Sequence, residues 1–205
     1  MSGLLGIGGA LSSFSKPQTP PTPSEELNSK IRTAGLTGGA FDLKSAPLEK
    51  VRIALFGLGN RGQSLIEMLN WLVQEGHAEI TAISDINPDK VRKAQAQIGA
   101  FQSATPAIFT GSDDAWQEAM RADVADLALI CTPWELHTPM ALHAMNNGLH
   151  AASEVPIAYT PEDTVQLVRT AEATGQHCIM LENCCYNREE LWILKMIEDG
   201  VFGTL

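Results

Sequence analysis

The sequence has little cysteine: four residues in 205, too few for a disulfide scaffold. None are spaced as CxxC, which excludes a zinc ribbon and a thioredoxin-like redox motif. No His/Asp/Cys set has metal-ligand spacing, so no metal is expected. No apolar run comes near the roughly 18 residues of a membrane span. Basic charge is in deficit: Lys+Arg is 14 against Asp+Glu 24, a net of −10. That argues against nucleic acid or an anionic membrane surface as the main partner. No internal repeat is visible. What is present is a chain 44% apolar, long enough for one domain with a real core, plus an appendage.

The appendage is the first 48 residues, which hold 7 of the 17 glycines and 5 of the 11 prolines. The run Lys16-Pro17-Gln18-Thr19-Pro20-Pro21-Thr22-Pro23 has the composition of a polyproline-type linker. Residues 1–48 are therefore expected to be a flexible segment. Lys16, Lys30, Arg32 and Lys44 against Glu25, Glu26 and Asp42 give it a net of +1, leaving −11 for the rest. Leu4-Leu5-Gly6-Ile7-Gly8-Gly9-Ala10-Leu11 has the look of a signal-peptide apolar core, but no Lys or Arg precedes it. Two readings stay open: a plain tail, or an export signal whose start lies upstream. The first leaves the protein in the cytoplasm and the second sends it to the periplasm.

From residue 51 the pattern alternates. Val51–Phe56 is a short apolar run ending at glycine, the signature of a buried strand. Leu65, Met68, Leu69 and Leu72 follow at helical spacing, and Glu75-Gly76 stops that helix. Further strands are expected at 78–83, 107–110, 127–130, 150–153 and 177–181. Helices are expected at 87–98, 114–120, 139–146, 160–174 and 189–199. Asn87-Pro88-Asp89 and Thr160-Pro161-Glu162-Asp163 are helix starts, with a cap, a proline in the first turn and acids near the positive helix end. Six apolar strands separated by helices imply an α/β fold, a Rossmann-type doubly wound parallel sheet spanning 49–205.

Gly57-Leu58-Gly59-Asn60-Arg61-Gly62 is GxGxxG between a strand and a helix. Gly57 permits the tight turn, Gly59 lets a pyrophosphate approach the backbone, and Gly62 lets helix and strand pack closely. The helix N-terminus offers free N–H groups to the phosphates. Asp85, 23 residues after Gly62, ends the second strand near the offset of an acid that binds ribose hydroxyls. Its charge repels a 2′-phosphate, so NAD is the expected cofactor.

Later segments are more specific. Cys131-Thr132-Pro133-Trp134-Glu135-Leu136-His137 follows the fourth strand. Ala144 to Gly148-Leu149-His150 then leads to Ser153-Glu154-Val155-Pro156 after the fifth. This order resembles the Gfo/Idh/MocA family of NAD(P)-dependent sugar oxidoreductases, whose members carry a TPxxxH-like segment and then a Glu-Lys-Pro triplet. Here the triplet has Val155 and no lysine. With Gly59-Asn60-Arg61-Gly62 and Leu181-Glu182-Asn183-Cys184-Cys185-Tyr186, it is similar to glycoside hydrolase family 109, NAD-dependent glycosidases typified by alpha-N-acetylgalactosaminidase. Leu136 departs from that pattern, where a second tryptophan is usual.

The resemblance implies glycosidase chemistry unlike two-carboxylate hydrolysis. It runs by transient oxidation at sugar carbon 3, elimination, water addition and re-reduction, with NAD regenerated each turnover. It implies that Asn60 and Arg61 lie over the pyrophosphate. Thr132, Trp134, Glu135, Leu136 and His137 line the nicotinamide side, and Glu154, Val155 and Asn183 contact NAD. Tyr186 is the candidate for sugar contact or proton transfer. Cys184 and Cys185 are read as packing residues near the cleft, and Cys131 and Cys178 as buried strand residues. In the family a second, α+β domain carrying much of the sugar site follows a Gly-x-Phe-Gly segment. Here Gly200-Val201-Phe202-Gly203 is followed by two residues. The chain is accordingly read as the cofactor-binding part of an enzyme acting on a small-molecule glycoside, with oligomeric state open. The alternatives are a sugar dehydrogenase of the same superfamily and a non-catalytic NAD-binding fragment.

Overall fold

The computed structural model describes residues 35–203, together with Thr22, Ser24, Glu25, Glu26 and Ser29. The remaining positions of the segment expected to be flexible, and any export signal in it, lie outside the described residues.

Six strands form one parallel sheet: β1 (Val51–Phe56), β2 (Ala78–Ser84), β3 (Ala107–Phe109), β4 (Leu127–Ile130), β5 (His150–Ser153) and β6 (Cys178–Met180). Their order is β3-β2-β1-β4-β5-β6, that of two mononucleotide-binding halves. The helices are α1 (Asn60–Gln74), α2 (Pro88–Gly99), α3 (Ala115–Ala119), α4 (His137–Asn146), α5 (Pro161–Thr174) and α6 (Arg188–Glu198). Among the described residues no helix is long and apolar enough to cross a membrane.

Alternation along β1 explains the two-layered core. Successive strand side chains point to opposite faces. Ile53 and Leu55 join Ile66 of α1, Ile80 and Ile83 of β2, and Val91, Ala94 and Ile98 of α2. Ala54 and Phe56 join Ala128 and Ile130 of β4, Met140, Ala141 and Met145 of α4, and Leu167 and Ala171 of α5. Burial on both faces is why the inner strands β1, β2, β4 and β5 read as nearly continuous apolar runs.

Helix ends follow the sequence signals. The Asn87 side chain accepts from the Asp89 N–H at 2.9 Å, with Pro88 opening α2. Thr160 and Asp163 form a reciprocal capping box, and Gly175 ends α5 in the left-handed region at φ 72°. α4 begins two residues earlier than the apolar pattern indicates, because a 3₁₀ turn over Trp134–Leu136 runs straight into it.

The described end of the N-terminal segment is anchored. The Thr37 N–H donates to both Glu172 carboxylate oxygens, at 3.1 and 3.0 Å. Backbone N–H groups, that of Thr37 foremost, hold the Glu172 carboxyl below its ordinary value. Leu43 packs on the core face that contains α4. Proline and glycine content did not reveal the Thr37–Glu172 contact, because it joins positions 135 residues apart.

Candidate functional site

Open α/β sheets bind ligands beyond the carboxyl ends of their strands, where the strand order reverses. Here that point lies between β1 and β4. The β1–α1 turn is built from its glycines. Gly57 sits at φ 84°, and a Cβ there would lie 2.5 Å from the Cys131 carbonyl oxygen. A Cβ on Gly62 would lie 2.0 Å from the Gly57 carbonyl oxygen. Both positions need glycine for the chain's own packing. Gly59 does not: a Cβ there meets nothing within 4 Å, and its φ of −70° suits any residue. Moreover, among the described residues no side chain caps α1, which leaves N–H groups of its first turn without a capping partner. Room above Gly59 and an uncapped helix start fit a pyrophosphate.

Asp85 stands beside this turn. One carboxylate oxygen accepts from the Leu58 N–H at 2.7 Å and the other from the Asn87 N–H at 2.8 Å. The acid thereby ties the glycine loop to the start of α2, and its oxygens retain accepting capacity. Lys90 Nζ is 3.9 Å away. A cleft of about 410 Å³ opens here, lined by Gly57, Asp85, Thr132, Glu135 and Leu136 among others. It also takes in Ile86, Lys90, Ser112, Asp113, Asp114 and Trp116, which sequence reasoning missed. Ile86 and Lys90 follow Asp85 closely enough to have been flagged. The residues after β3 carried no motif.

Other expected residues take different places. Asn60 opens α1 but lines a separate shallow hollow with Gln63 and Lys93. Arg61 Nε donates to Glu154 Oε1 at 2.5 Å, pairing the glycine loop with the loop after β5. Val155 is half-buried in that loop. Trp134 is 57% exposed, its ring 6.4 Å from that of Tyr159. His137 is buried, with each ring nitrogen 2.8 Å from a backbone carbonyl oxygen, those of Pro156 and Thr132. Asn183 and Tyr186 lie on an exposed 3₁₀ segment and neither lines the cleft, Tyr186 being 74% exposed.

The cysteines need correction. Cys184 and Cys185 are exposed, not packed, because the 3₁₀ turn that carries them leaves the sheet after β6. Cys131 lies one residue past β4 and is half-buried. Burial first, then the Glu154 carboxylate, push its thiol up to about 12 against the pull of Arg61. Burial pushes Cys178 up to about 11.

Residues 51–182 match the family described as "Oxidoreductase family, NAD-binding Rossmann fold". Among curated relatives, a "Glycosyl hydrolase family 109 protein" of Saccharopolyspora erythraea is 41% identical over 77% of this chain and 34% of its own length. An "Alpha-N-acetylgalactosaminidase" of Bacteroides fragilis is 44% identical over 80% of this chain and 37% of its own. The chain thus spans about a third of the length of these relatives. Among solved structures, the WlbA dehydrogenase of Bordetella pertussis, in complex with NADH and UDP-GlcNAcA, matches at a TM-score of 0.64. It is 27% identical, over 75% of this chain and 43% of that one. The apo scyllo-inositol dehydrogenase of Lactobacillus casei, 18% identical over 77% of this chain and 44% of that one, shares the fold at a TM-score of 0.64. With its 3-2-1-4-5-6 sheet, glycine turn and Asp85, the chain belongs to the Gfo/Idh/MocA oxidoreductase family and carries its NAD-binding Rossmann domain.

Proposed function

We propose that this chain is the cofactor-binding part of an NAD-dependent glycosidase acting on N-acetylgalactosaminides. One observation carries the choice of reaction. In the dehydrogenases that the sequence resembles, a lysine stabilises charge on the hydroxyl being oxidised; here Val155 stands in its place. An aliphatic side chain holds no proton to give and no charge to offer. The names of the family 109 relatives support the same choice.

Bound NAD supplies a hydride acceptor and donor restored at each turnover. The chain's residues bind and orient it. N–H groups of the first turn of α1 hold the pyrophosphate, and Gly59 leaves it room. Asp85 accepts from ribose hydroxyls while its backbone bonds keep it in place. Thr132, Glu135 and Leu136 wall the cleft. Arg61 neutralises Glu154, so the loop bearing Val155 sits against the glycine turn without a free negative charge. Asn183 and Tyr186 stand outside the cleft on the exposed turn after β6; the family likeness supports their roles in contact with NAD and with the sugar, and the Tyr186 hydroxyl is the chain's candidate for proton transfer.

The test is the nucleotide content of the purified 205-residue chain, released by denaturation, followed by assay on a p-nitrophenyl alpha-N-acetylgalactosaminide. Bound NAD is expected. Release of nitrophenol without net NADH, by this chain or a longer protein containing it, supports the glycosidase. Net NADH from free sugar would show a dehydrogenase instead, a reading that the WlbA likeness favours.

A further inference from the structure

His137 opens α4 and is 1% exposed. It is not among the residues that line the cleft. Nδ1 lies 2.8 Å from the Pro156 carbonyl oxygen, and Nε2 lies 2.8 Å from the Thr132 carbonyl oxygen. Beside it, the Thr138 hydroxyl donates to the Ile157 carbonyl at 2.8 Å. The first turn of α4 therefore grips two loops at once. One follows β4 and carries Thr132 in the cleft wall. The other follows β5 and carries Glu154, paired with Arg61, and Val155.

Backbone carbonyls only accept, and a neutral imidazole has one N–H. Two buried carbonyls at hydrogen-bond distance call for two donors. A neutral ring would turn a lone pair on one of them and leave that oxygen unsatisfied. Burial and the positive end of α4 work against a charged ring; the assignment is carried by the geometry, an acceptor oxygen 2.8 Å from each of the two ring nitrogens.

We infer that His137 is a positioning residue: it donates from both ring nitrogens, bridging the Thr132 and Pro156 carbonyls and so setting the spacing of the two loops that flank the NAD site. The inference rests on the NAD-binding reading for its consequence, not for its geometry. It departs from the expectation that His137 lines the nicotinamide side.

Two measurements on the full chain test it. The first is a ring ¹⁵N–¹H correlation spectrum of histidine-labelled protein without NAD, with the His137 ring assigned by through-space contacts to Thr138 and Met140. Two slowly exchanging ring N–H signals are expected, and a single one overturns the bridge. The second compares NAD affinity of the parent and His137→Gln where both are folded, as judged by thermal unfolding. The expected loss is about tenfold or more. Undiminished affinity in a folded variant would reduce the residue to core packing and overturn the positioning role. A parent that binds no NAD at all overturns the cofactor reading, while the ring signals still decide the bridge.

Discussion

The strands around β1 and the C-terminal stretch from β6 through α6 carry similar apolar content with opposite results. Leu55, Ile80, Ile83 and Ile130 are fully buried. In α6 no residue is buried, and Leu191, Trp192, Ile193, Leu194 and Ile197 are 40–68% exposed. Val201 and Phe202 continue that exposure. Apolar residues on a helix state a need for a partner. In α1, α2 and α4 the sheet meets that need. α6 leaves the sheet after β6 and meets nothing comparable among the described residues. An apolar surface of this kind marks a place for other protein.

The contrast can be broken most severely at Gly62. Gly62→Val forces a side chain into the Gly57 carbonyl and should cost about 4 kcal/mol or more, seen as loss of cooperative thermal unfolding. Gly59→Ala separates folding from binding at the same turn. Stability should stay within about 0.5 kcal/mol, while NAD affinity, measured by calorimetry, collapses. Unchanged affinity would mean that no phosphate passes over Gly59.

Thiol labelling sharpens the comparison. At neutral pH iodoacetamide should modify the exposed Cys184 and Cys185. Cys131 and Cys178, pushed up to about 12 and about 11, should stay unmodified until the chain unfolds. Peptide mass mapping checks this.

Acid should weaken the packed half. Burial first, then His177, hold the His150 imidazole below its ordinary value, against Asp126. Its Nδ1 accepts from the His177 N–H at 3.0 Å. The folded state thus binds a proton less readily than the unfolded one. The contribution is whole above about pH 6.5 and is lost as pH falls from there through the lower folded value. Burial raises the Asp126 carboxyl, but its bonds to Arg52 prevail and hold it below the usual range. Its contribution is lost in the same direction at lower pH. The melting temperature should fall between about pH 7 and about pH 5, and His150→Asn, which can still accept from His177, should flatten that fall. The smallest effect belongs to α6. Trp192→Ser should leave stability in thermal unfolding nearly unchanged, within about 0.5 kcal/mol, and lower binding of an apolar dye. Marked destabilisation would show that α6 is part of the core.

Much of this molecule was determined by local sequence. Short apolar runs and period-3.6 spacing, with the turn and cap signals between them, place the six strands and the α-helices to within about two residues, α6 included although it buries no residue. Asn87, Thr160 and Gly175 act on their own backbones, so their roles are legible without the fold. The GxGxxG turn and Asp85 are legible because spacing along one strand–turn–helix unit implies spacing in space. Tertiary structure alone decided the rest. Arg61 and Glu154 are 93 positions apart, and Thr37 and Glu172 are 135 apart. It also decided that His137 turns inward to two carbonyls, that Asp113 and Asp114 join the cleft, and that Tyr186 and both adjacent cysteines stand in solvent. The physical reason is common to all of these. A side chain's partner is set by which loops the sheet order brings together, and no periodicity along the chain records that order.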